Sequence, residues 1–125
     1  FKNMLKHNVQ DRGILSFAEF KDLEFQPKRI MIMYGVPKGE IRGKHGHKKD
    51  RHYIICTNGK VKITLTTKEG TTTHILNPGD SVLQETYVWG VQEYLEKNTI
   101  LTVLCSENFD PEEYIYDINQ ILKTK

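Results

Sequence analysis

Three of the five histidines fall within eight residues, at His45, His47 and His52. An imidazole has an ordinary pKa near 6.5, so at neutral pH it offers both a base and an acid. Such a cluster suits removal of a proton from one atom and its return to a neighbour. As neutral nitrogen donors, the same rings also suit a divalent transition metal. His45 and His47 are one residue apart in a segment that reads as strand, which sets both rings on one face. His52 lies an odd number of steps from His47, so strict alternation turns it away. Lys48-Lys49-Asp50 reads as a loop or bulge, which leaves open whether the phase is reset. With the phase reset, the three imidazoles form a facial set.

The elements that must position these rings are strands. Arg29 to Tyr34 is strongly apolar, and Arg51 to Thr57 runs into Asn58-Gly59, a strong hairpin signal. Val61, Ile63 and Leu65 alternate cleanly, and further strands read at Thr71 to Leu76, Ser81 to Leu83, Trp89 to Leu95 and Thr99 to Cys105. Many short strands at this spacing predict an all-β sandwich or barrel, with room inside for one small ligand. Two short peripheral helices are expected. Ser16-Phe17-Ala18-Glu19 reads as a capping box, and Asp110-Pro111 as an N-cap with proline at the first helical position.

The 125 residues make one domain. A net charge of +2 with 27% charged residues excludes a broad basic track for nucleic acid. No apolar run approaches the roughly 18 residues of a spanning helix, and Phe1-Lys2-Asn3-Met4 does not open a signal peptide, which favours the cytoplasm. Cys56 and Cys105 sit in apolar runs and read as buried free thiols.

The spacing from Gly39 through His45-x-His47 and His52 to Gly59 resembles the first cupin motif, and Gly79 partly matches the second. Within the cupins, the chain resembles the sugar nucleotide 3,4-ketoisomerases, the WxcM-like family. The matching residues are Asp11-Arg12-Gly13, Phe25-x-Pro27-Lys28-Arg29, Tyr34-x-Val36-Pro37, Arg42-Gly43-x-His45-x-His47-Lys48-Lys49, Gly59-x-Val61, Val88-Trp89 and Phe109-Asp110-x-Glu112-x-Tyr114-Ile115-x-Asp117. Three positions depart from the resemblance, one of them Met31, where an aromatic is common two residues after Arg29. His52 stands where such enzymes carry glutamine, and Gly90 where they carry histidine.

The resemblance implies a cupin-type double-stranded β-helix over residues 1–125, with an N-terminal strand exchanged in a homodimer. It implies an isomerase of deoxysugar biosynthesis, moving the keto group of dTDP-4-keto-6-deoxyglucose from C4 to C3 without a cofactor or metal. His47 is expected as base, His45 as its partner in proton relay or oxyanion stabilisation, and His52 as a contributor to proton return. Arg42, Arg12 and Arg29 are candidates for the diphosphate, since a guanidinium binds phosphate bidentately. Arg42 lies an odd number of steps from His45, but Gly43 permits the irregular backbone that would turn it inward. Tyr34 and Trp89 are candidates for stacking on sugar or base. Two other readings stay open: a non-catalytic cupin that binds a sugar nucleotide, and a three-histidine metal-dependent enzyme. The configuration at C4 of the product is not fixed by the sequence.

Overall fold

The alternation of Val61, Ile63 and Leu65 is where the barrel starts, because those three side chains are buried while Lys62 and Thr64 between them are half-exposed. The computed structural model describes residues 3–124, so Phe1 and Lys2 of the opening segment lie outside the described residues. Its strands are β1 (Lys6–Gln10), β2 (Gly13–Phe17), β3 (Arg29–Met33), β4 (Ile41–His47), β5 (His52–Asn58), β6 (Val61–Thr67), β7 (Gly70–Leu76), β8 (Ser81–Gln84), β9 (Trp89–Tyr94), β10 (Ile100–Cys105) and β11 (Tyr114–Ile115). One short helix, α1 (Asn119–Leu122), follows.

Two antiparallel sheets carry the fold, one in the order β3-β10-β5-β8 and the other β11-β4-β9-β6-β7. Strands adjacent in space are mostly distant in sequence, as a jelly roll requires. The inner faces bury Ile54, Cys56, Ile63, Leu76, Tyr94, Leu101 and Val103 among others in one core. Each large aliphatic side chain buried there contributes about 1.5–3 kcal/mol. The outer face of the four-stranded sheet is half covered: Tyr53, Ile55 and Leu104 lie under Met4, Leu5, Leu23 and Phe25. Ile30 and Ile32 on the same face stay exposed. β1 and β2 form a two-stranded sheet of their own, bonded as strands to neither barrel sheet.

The helical expectations need correction. Ser16 and Phe17 close β2, pairing with His7 and Lys6, so no capping box forms there. A single 3₁₀ turn at Phe20–Asp22 stands in its place, and Glu19 before it makes no side-chain cap. At the other end Asp110 does cap, accepting the Glu112 N–H at 3.0 Å with Pro111 at the first position. The turn stops after Glu113 because Tyr114 and Ile115 are drawn into a ladder with His47 and Gly46.

Candidate active site

At one end of the barrel the inner faces turn polar. Across the four-stranded sheet, Arg29, Cys105, His52 and Gln84 stand in one register row. Across the other sheet, His47 pairs with Tyr114 and His45 with Gly90. The residues between β4 and β5 leave the ladder, and the alternation restarts with His52 facing inward. The His47 and His52 rings then lie 4.4 Å apart, His45 and His47 5.0 Å apart, and Tyr114 4.6 Å from His47. The three imidazoles expected from the sequence do meet.

A second phase change lies upstream. Gly43 has φ +92° and Lys44 φ +61°, and the register of β4 against β9 slips between Gly43 and His45. A β-bulge of this kind places one extra residue in the strand. Arg42 therefore pairs with Gln92, two residues from Gly90, and shares the inner side with His45 despite the odd count. Arg42 also lines a depression of about 320 Å³ with Tyr34, Val36 and Glu40. Arg42 and Tyr34 are thus brought together in one depression, with Arg42 on the strand that carries His45 and His47. Arg12 is not: it sits in the β1–β2 turn, in a separate depression with Gln10 and Leu15. Trp89 precedes the inward Gly90, so alternation along β9 sets it on the outer face. Arg29 is turned into the site, but toward a carboxylate: its Nη2 donates to Asp50 Oδ2 at 2.8 Å.

Two buried carboxylates orient the rings. Glu113 Oε2 accepts from His47 Nδ1 at 2.5 Å, while Oε1 accepts the backbone N–H groups of Lys49 (3.0 Å) and Asp50 (2.9 Å). Asp50 Oδ2 accepts from His52 Nε2 at 2.8 Å, and its Oδ1 accepts the Glu107 N–H at 3.1 Å. Burial alone would push both carboxyls up. For Glu113 the His47 bond and the two amides reverse this and hold it below the usual carboxylate value of 4.5. For Asp50 the reversal comes from His52, the Glu107 amide and Arg29, against 3.8. Burial depresses His47 and His45 below 6.5, outweighing for His47 the raising effect of Glu113. His47 is therefore a neutral imidazole. Its Nδ1 carries the proton and donates to Glu113, which leaves the lone pair on Nε2. That Nε2 is buried and has no hydrogen-bond partner among the described residues.

The sequence reading missed Glu113, Asp50, Tyr114 and Gln84 as site residues. Glu113 was hidden in the helix-start pattern Asp110-Pro111-Glu112-Glu113, and Asp50 in the loop between histidines. Their signal is physical rather than positional: buried imidazoles need oriented acceptors. For a metal, the donor atoms that gather are those of His47, Asp50 and His52, all within 4.8 Å of one another, without His45. The fit is poor. Asp50 Oδ2 is already engaged by two N–H donors, one from the Arg29 guanidinium, whose charge repels a cation. His7 and His74 lie outside the cluster, His7 Nδ1 meeting Ser16 Oγ at 2.7 Å and His74 half-buried on β7.

A barrel of this topology with histidines at its polar end is a cupin-type fold. The same fold is found in the rmlC epimerase of Mycobacterium tuberculosis, at 14% identity and a TM-score of 0.78 over 90% of this chain and 65% of that one. The chain belongs to the family described as FdtA: WxcM-like, C-terminal, whose model matches residues 1–125. It is 25% identical over 122 residues to the TDP-4-oxo-6-deoxy-alpha-D-glucose-3,4-oxoisomerase of Aneurinibacillus thermoaerophilus, covering 94% of this chain and 86% of that one. It is similar to the sugar 3,4-ketoisomerase QdtA of Thermoanaerobacterium thermosaccharolyticum solved with TDP, at 31% identity and a TM-score of 0.87 over 96% and 89% of the two chains. A histidine-to-asparagine mutant of QdtA, solved with TDP-4-keto-6-deoxyglucose, matches with 30% identity and a TM-score of 0.87 over 96% and 88%.

Proposed function

We infer that this chain is a sugar nucleotide 3,4-ketoisomerase acting on a TDP-linked 4-keto-6-deoxyhexose. The observation that carries the reading is the unpartnered, buried Nε2 of a neutral His47 whose other nitrogen is fixed by Glu113. That is the state a general base needs before substrate arrives. His47 takes the proton from C3, which the C4 carbonyl acidifies, and the electron pair moves to form the enediolate with charge on O4. The O3 proton is transferred to O4, a proton is delivered to C4, and the carbonyl reforms at C3, so two protons are lost and two regained. No electrons enter or leave overall. His52, oriented by Asp50, is the donor to C4 or the group that steers His47 there, and His45 stabilises the developing oxyanion. Arg42 and Tyr34 hold the nucleotide diphosphate end. Incubation with TDP-4-keto-6-deoxyglucose and product analysis by NMR tests the reading, with the 3-keto isomer expected. Tight ligand binding with no exchange of the C3 proton in heavy water would instead mark a binding protein.

The working form we propose is a homodimer that exchanges its N-terminal strands. Supporting this, the β1–β2 hairpin leaves Val9, Ile14 and Leu15 exposed and borders a cleft of about 700 Å³ lined also by Leu5 and Ile55. A lone hairpin is marginal in water, and the exposed Ile30 and Ile32 offer a second apolar face. Exchange would also carry Arg12 toward a partner. Deletion of residues 1–10 should give monomer or aggregate in sedimentation; a fully active monomer would remove the exchange. Free Cys56 and Cys105, both buried, suit the reducing cytoplasm as its compartment. Among the described residues no helix is long and apolar enough to cross a membrane.

A further inference from the structure

Gly90 has no side chain for a reason that lies on another strand. A Cβ built there would stand 2.7 Å from both Nε2 and Oε1 of Gln84 and 2.8 Å from its Cδ. Gln84 ends β8 directly across from His52, whereas Gly90 stands across from His45 on the opposite sheet. The glutamine thus crosses between the sheets and lies over the glycine, 5% exposed. Its nitrogen faces two carbonyls, of Val88 at 3.0 Å and of His45 at 3.5 Å. Carbonyls only accept, which settles which end of the amide is which. Oε1 then accepts no hydrogen bond among the described residues. Stapling the β8–β9 turn uses one end of this side chain and leaves the other without a hydrogen bond among the described residues, on a residue that pairs with His52 and lies over the glycine opposite His45.

We propose that Gln84 is a substrate-binding residue, its amide oxygen accepting a hydrogen bond from a hydroxyl of the sugar at the place a side chain on residue 90 would otherwise fill. The assignment rests on the ketoisomerase reading. It makes Gln84 and residue 90 an either/or pair: a side chain at 90 must evict the amide. Because an amide does not titrate between pH 4 and 10, Gln84 selects and orients, and proton transfer stays with the imidazoles.

Steady-state kinetics of Gln84→Ala with TDP-4-keto-6-deoxyglucose, alongside inhibition by TDP alone, tests this. One lost hydrogen bond should raise KM about tenfold with kcat within about threefold, and leave inhibition by TDP unchanged. An unaltered KM overturns the assignment. So does an equal loss toward TDP, which would show general collapse of the pocket. The pair is tested by Gly90→His with and without Gln84→Ala: the double variant should exceed Gly90→His in kcat/KM by about tenfold, and equal values would dissolve the coupling. Should Gln84→Ala not fold, Gln84→Asn withdraws the oxygen by one methylene and is expected to show the same KM rise. A wild type that converts substrate while the variants keep its KM refutes only this inference. A wild type with no turnover refutes the isomerase reading and takes the inference with it.

Discussion

The two ends of one barrel are built from the same strands and obey opposite rules. At the dry end, Val61, Ile63, Leu76, Tyr94 and Leu101 are essentially inaccessible and bring little polar chemistry beyond the Tyr94 hydroxyl, which donates to Gln92 at 2.9 Å. At the other end His47, Asp50 and Glu113 are just as buried, at 1–3% exposure. Burial there costs free energy unless each polar group is paired. Nearly every one is, through backbone amides and two carboxylate–imidazole pairs. Among the described residues two buried side-chain atoms there have no partner, Arg29 Nε and His47 Nε2, and the second is the atom proposed as the base. A packed interior can hold a reactive base when the polar groups around it are mostly paired and its own lone pair is left open.

The sharpest way to break this contrast is to remove the base. His47→Asn should lower turnover by about 10³-fold or more, with near-native circular dichroism; an unchanged rate takes His47 out of the mechanism. Next in size is its orienting carboxylate. Glu113→Gln should cost about 10–100-fold in kcat and shift the acid limb of kcat/KM to lower pH, since the carboxylate is what raises the His47 pKa against burial. A limb that stays in place would mean that Glu113 only packs. His52→Gln or Asp50→Asn should cost less, about tenfold, and the C4 configuration of the product read by NMR reports whether His52 delivers that proton. Identical rate and product would make His52 a bystander.

The dry end gives the complementary result. Ile63→Val should lower stability by about 0.5–1.5 kcal/mol in a denaturant titration while leaving kcat unchanged. Stability should also follow pH with a definite sign. His45 and His47 refuse protons that the unfolded chain accepts, so the fold is fully stable above the ordinary imidazole value of 6.5 and weakens as pH falls below it. The depressed carboxyls of Asp50 and Glu113 continue that loss as pH falls through their own range. Denaturation midpoints from pH 8 to 4 that stay flat would contradict the burial argument.

Much of this was legible in the residues. Period-two alternation and Asn58-Gly59 located most of the barrel strands, and the histidine spacing pointed to three rings that lie together in the structure. What escaped were features whose cause lies far along the chain. Ser16 has the chemistry of a helix cap, yet pairing with His7 decides its conformation. Pro111 starts a helical turn, yet the open edge of β4 captures Tyr114 one residue after it ends. Glu113 reaches His47 across 66 residues, and no local pattern encodes an acceptor at that distance. Gly90 is legible as an oddity, but its explanation, Gln84, follows only when two sheets face each other.

The extra residue at Lys44 has a consequence for how such chains are compared and edited. On either side of it, odd and even numbers exchange meaning: inward positions are even before the bulge and odd after it. Deleting Lys44 would alter no side chain proposed to act in the reaction, yet it would rotate Arg42 to the outside while Glu113 still holds the His47 imidazole in place. A one-residue gap here is therefore no neutral slip. It is the length of the strand, not its chemistry, that would uncouple nucleotide capture from proton transfer.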